Sequence, residues 1–85
     1  MRFQGAVIRE QGVDFAIIIV KPHVLQCQSD SEQMISAWRV RFGVPVVLMA
    51  QDGQGKPTYL GRPDIVRFLS RVPLRAIPWR EYSLN

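Results

Sequence analysis

The sequence predicts a single α/β (α+β) domain over residues 1–85, a two-layer ββαββα fold with a mixed sheet, parallel central strands and a C-terminal edge strand or arm. Three observations lead there. Two short runs, Phe15 to Val20 and Val46 to Ala50, are wholly apolar, as strands covered on both faces are. Two longer stretches, after Ser29 and after Pro63, repeat apolar residues at helical spacing. The chain has 85 residues, 47% hydrophobic and 21% charged, enough for one core and no second.

Taken in order, Phe3 to Arg9 reads as a first strand, turned at Gln11-Gly12, and Val13 to Val20 as a second. Ile17, Ile18, Ile19 and Val20 are β-branched, which favours the extended state. Lys21-Pro22 ends that strand. Ser29-Asp30-Ser31-Glu32 has capping-box spacing and predicts a helix start, with Met34, Ile35, Trp38 and Phe42 on its buried face and Val40 off it. Gly43 and Pro45 stop the helix. Val46 to Ala50 is the third strand and Asp52-Gly53-Gln54-Gly55 a turn. Pro57 to Leu60 is a short fourth strand, its proline suited to a strand start or an edge. Pro63 opens a second helix that buries Ile65, Phe68, Leu69 and Val72 and closes at Pro73. The second and third strands, joined through a helix, should be parallel neighbours.

Gly43 to Met49, the Asp52-Gly53 turn, Leu60-Gly61 and the helix bearing Ile65, Phe68 and Leu69 resemble the C-terminal half of thioredoxin-like domains. There a loop proline precedes a strand, a hairpin, a glycine and a closing helix. The likeness covers about a third of the chain and is one of supersecondary pattern, since no Cys-x-x-Cys is present.

The longest apolar run is six residues, whereas a membrane-spanning helix needs about 20, and no secretory signal opens the chain. The expected setting is cytoplasmic, and the lone Cys27 fits a reducing compartment. His23, Cys27 and Asp30 fall between the second strand and the first helix, where a thiol near a helix start gains thiolate character and a histidine can assist it. Cys27 and His23 are therefore the candidate catalytic pair of a small thiol-dependent enzyme. Gln51 and Asp52 should open on the same sheet edge, where ligands gather beyond the carboxyl ends of parallel strands. One thiol and one imidazole lack paired ligand spacing, so no metal and no cofactor is expected. Gly53 to Thr58 departs from a phosphate loop at several positions and runs into a strand.

Net charge is +4, and its distribution is uneven. Residues 1–55 hold five basic and five acidic side chains, whereas residues 56–85 hold six basic and two acidic. Arg62, Arg67, Arg71, Arg75 and Arg80, with Trp79 and Tyr82 as stacking surfaces, form the candidate binding set for nucleic acid. The tail residues Leu74, Ile77, Trp79, Tyr82 and Leu84 are too apolar for a disordered end. They either complete the domain's own core or cross to a second copy, making a homodimer by exchange of arms. The leading expectation is an accessory or protein-interaction module, through self-association or another protein. A nucleic-acid-associated module using the Arg cluster comes second and a thiol enzyme third.

Overall fold

The computed structural model describes residues 2–10 and 12–83. Strands β1 (Arg2–Glu10) and β2 (Val13–Ile19) are followed by helices α1 (Pro22–Gln26) and α2 (Gln28–Phe42), then β3 (Val46–Gln51), β4 (Pro57–Leu60), α3 (Pro63–Leu69), a 3-10 turn (Leu74–Ala76) and β5 (Arg80–Ser83). All five strands form one mixed sheet in the order β4-β3-β2-β1-β5. The apolar runs find the places their composition requires. β2 and β3 pair in parallel, Ala16 to Ile19 against Val46 to Met49. β1 and β4 flank this pair antiparallel, and β5 returns antiparallel onto Arg2 to Gly5 of β1. The tail is thus an edge strand of its own sheet. Both edge strands are four residues long; Pro57 in β4 and the charged Arg80 and Glu81 in β5 make them poor templates for further pairing.

Alternation along the strands divides the core into two clusters. Phe15, Ile17, Val47 and Met49 point to one face and pack with Ile65 and Leu69 of α3, Ile77 and Trp79. Ala16, Ile18, Val46, Leu48 and Ala50 point to the other and pack with Trp38, Met34 and Ile35 of α2 and Val24 and Leu25 of α1. Helices therefore cover both faces of the sheet, adding a layer to the two expected from element order. Central strands that are apolar on both sides demand that cover.

Three local readings change. Pro22 does not merely end β2 but sits in the first turn of α1, where its missing N–H costs nothing. The Ser29–Glu32 capping box does not form. Cys27 is the N-cap residue of α2 instead, Ser31 Oγ donates to the Gln28 carbonyl at 3.0 Å, and Glu32 accepts from Gln28 Nε2 at 3.0 Å. α3 stops at Leu69 rather than Val72, and the chain tightens into i→i−3 bonds from Arg71 to Phe68 and Val72 to Leu69 because Pro73 disfavours helical geometry in the residue before it.

Gly5 marks the tightest packing in the sheet. A Cβ there would lie 2.5 Å from the Ile17 carbonyl oxygen and 2.8 Å from Ile18 Cδ1. The pattern of Pro45, β3, hairpin, Gly61 and α3 is realised as read, with every peptide bond among the described residues trans.

Tyr59 of β4 leans on the α3 side of the core, its hydroxyl buried without a hydrogen-bond partner, and burial raises its pKa above the usual 10.0. An unpaired buried hydroxyl forfeits its hydration. Tyr59→Phe is expected to hold or raise stability, by up to about 1 kcal/mol, as read by urea denaturation. A clear loss would show that the hydroxyl has a partner.

Candidate functional site

Cys27 links α1 to α2. It ends α1, caps α2 through its backbone, and accepts the Ser31 N–H at 3.0 Å on its carbonyl. Its half-buried Sγ lies 3.4 Å from Ser29 Oγ. His23 and Asp30 are exposed on α1 and α2. Among the described residues no hydrogen bond joins His23 to the thiol, and no group of three or more His, Cys, Asp and Glu side chains is placed to hold a metal ion. The nearest polar partner of the thiol is therefore a serine, which has no basicity to offer it.

The carboxyl ends of β2 and β3 do open into clefts, as the topology leads one to expect. One of about 360 Å³ runs between Pro22, Leu25 and Gln26 of α1 and Ala50, Gln51, Asp52 and Thr58. A second, of about 470 Å³, shares Pro22 and Gln51 and reaches Arg2, Gln4 and Lys21. The polar groups at the rim are largely used by the hairpin. Asp52 Oδ1 accepts the N–H groups of Gln54 at 2.8 Å and Lys56 at 2.9 Å, and Gln51 Nε2 donates to the Gly55 carbonyl at 3.0 Å. Gly55, at φ 82°, supplies the left-handed residue this turn needs. Residues 52–56 are a hairpin connection built around Asp52, and residues 57 and 58 already pair in β4.

The backbone bonds from Lys56 and Gln54 hold the Asp52 carboxyl below its ordinary 3.8, and the hydrogen bonds from Arg62 do the same for Asp64. A lowered folded pKa favours the ionised, folded form. The support of both groups is complete above pH 3.8 and is lost as pH falls through their lower folded values.

The late arginines separate by environment. Arg62 is occupied, its Nε and Nη2 donating to the two Asp64 oxygens at 3.1 and 2.7 Å. Arg67 on α3, Arg71 just beyond it and Arg75 in the 3-10 turn are exposed and have no ion-pair partner among the described residues. Arg80 pairs with Gly5 in the sheet and shares its face with Tyr82, two residues on, which is the α2 face.

The tail aromatics are engaged internally. Trp79 is half-buried in the α3-side cluster and its indole N–H donates to the Leu74 carbonyl at 3.0 Å. Tyr82 packs edge-on against Phe42 at 5.0 Å in the other cluster. The binding set read from the sequence resolves into three exposed arginines on α3 and the segment after it, without an ion-pair partner among the described residues, an ion-paired Arg62, and Arg80 across the sheet. Two features escaped the sequence reading, α1 and the close approach at Gly5. Pro22 was the available signal for the first; the second depends on strand pairing.

Among the described residues no helix is long and apolar enough to cross a membrane. No known protein family, no curated protein and no solved structure matches this chain.

Proposed function

We propose that this chain is an accessory, protein-interaction module that docks onto a carboxylate-rich protein surface through the outer face of α3 and the turn after it. The observation that carries this reading is the trio Arg67, Arg71 and Arg75, exposed within nine residues of one layer and unpaired among the described residues. Guanidinium groups match carboxylates bidentately, and six of the eleven basic residues lie in the last third of the chain. A cytoplasmic setting goes with this reading, the single Cys27 being unpaired.

The same charge favours a second reading, docking on nucleic acid. With Trp79 and Tyr82 committed to the core, such binding would consist of phosphate contacts, which carry no sequence information and fade with salt.

The test is fluorescence anisotropy with a polyglutamate peptide and with single-stranded DNA, each titrated across a salt series. Replacing Arg67, Arg71 and Arg75 together by Ala should weaken the peptide complex about tenfold, three exposed charge contacts at ~0.2–1 kcal/mol each. Unchanged peptide affinity in that variant contradicts the reading. DNA binding that is tighter than peptide binding at each salt concentration and disappears with Arg67→Ala plus Arg71→Ala puts the second in its place.

A further inference from the structure

We propose that the outer face of α2 is a self-association surface on which a second copy of this chain packs antiparallel about a two-fold axis. Trp38, Ser31, Met34 and Ile35 turn toward the sheet, which sets Ser29, Gln33, Ser36 and Val40 on the opposite side at helical spacing. Val40 is 87% exposed, in the last turn of the helix, where β-branching brings no propensity gain. Its neighbours one turn back, Ser36 and Ala37, are small, which lets another helix approach closely.

The charges beside this stripe fit a two-fold. Asp30 and Glu32 lie at the start of α2, Arg39 and Arg41 near its end. Seven residues is within about 20° of two full turns and eleven within about 20° of three. Glu32 and Arg39 therefore share one flank of the stripe, and Asp30 and Arg41 the other. Both pairs have the same midpoint, between Ile35 and Ser36. An antiparallel copy with its axis at that midpoint sets each acid opposite the matching arginine of its partner, four pairs in all, while the Ser36 side chains meet near the axis. Within one chain the members of a pair are about 10 Å or more apart along the helix, and no ion pair among the described residues uses any of the four. The helix dipole favours acid first and base last, but it requires neither the shared midpoint nor the shared flanks, and it gives no reason for Val40.

One helix face per copy is a small interface, so the dimer should be weak, concentration-dependent and salt-sensitive. The test is sedimentation velocity of the full chain over a concentration series at low and high salt, with circular dichroism to verify folding. The intact chain should move toward dimer with concentration and back toward monomer with salt. Arg39→Glu with Arg41→Glu makes both flanks acidic, Asp30→Arg with Glu32→Arg makes both basic, and each variant alone should be monomeric. Their equimolar mixture should dimerise. Should reversed charges disturb the helix ends, Val40→Lys decides, at an exposed position where nothing packs within the chain: it should weaken association about tenfold, as a loss of ~1.4 kcal/mol does. A wild-type chain that stays monomeric throughout overturns the proposal. So does a mixture of the two folded charge variants that remains monomeric, or Val40→Lys associating like wild type.

Discussion

Trp38→Ala should remove about 3–5 kcal/mol of stability, a large share of the ~5–15 kcal/mol that holds a domain together. Trp38 is fully buried and joins three elements that are distant in sequence. Its ring stacks on Phe42 at 5.4 Å and meets the edge of Phe3 at 5.2 Å, while Phe42 meets Tyr82 at 5.0 Å. The run Phe3, Trp38, Phe42, Tyr82 ties β1 to α2 and α2 to β5. Truncation leaves a cavity that no single element can close. The indole Nε1 is buried without a hydrogen-bond partner, so Trp38→Phe, which removes that unpaired donor along with part of the ring, should cost clearly less than Trp38→Ala. Urea denaturation of the two variants checks both statements. A loss below about 1 kcal/mol for Trp38→Ala, the range of surface substitutions, would contradict this packing.

Truncation after Pro73 is expected to be at least as severe. It removes Ile77, which is buried, Leu74, Trp79 and Tyr82, which are half-buried, and the whole of β5. At roughly 1.5–3 kcal/mol for each fully buried large side chain, the loss reaches several kcal/mol, and the β1 edge from Arg2 to Gly5 loses its only pairing on that side. Thermal and urea unfolding should show a chain with broadened or absent cooperativity. β5 closes on its own sheet, so the tail's contribution should persist on dilution. A contribution that vanishes on dilution would mean that the arm pairs with another copy. Trp38→Ala combined with the truncation should fall short of additivity, because Tyr82 and Trp38 share Phe42.

Much of this was legible in the residues. Unbroken apolar runs at residues 15–20 and 46–50 point to buried strands, and a helix between them points to parallel pairing. What the pattern could not assign was the face each helix takes. β2 and β3 are apolar on both sides, so the strand sequence is the same whether α2 and α3 share a face or divide. Ser29 and Glu32 satisfy a local rule for a helix start, but α2 begins earlier, with Cys27 as its N-cap and the Cys27 carbonyl accepting the Ser31 N–H. Residue type alone allows Trp79 and Tyr82 two roles, as stacking surfaces or as part of the domain's own core. In a chain this short, large aromatic rings near the terminus are needed by the core, and the hydrogen bond from Trp79 to Leu74 is a tertiary fact with no sequence signature. Charge asymmetry was visible at once, but strand register and the Arg62–Asp64 pair were needed to narrow five arginines to three.

Amide chemical-shift mapping during titration with a polyglutamate peptide decides whether Arg67, Arg71 and Arg75 make the proposed docking face. The expected result is a set of shifts confined to residues 62–80 on α3 and the turn after it, reversed by added salt and absent from the triple Ala variant. Shifts centred on α1, α2 or the β3–β4 hairpin, or shifts on α3 that persist in the triple variant, would contradict it.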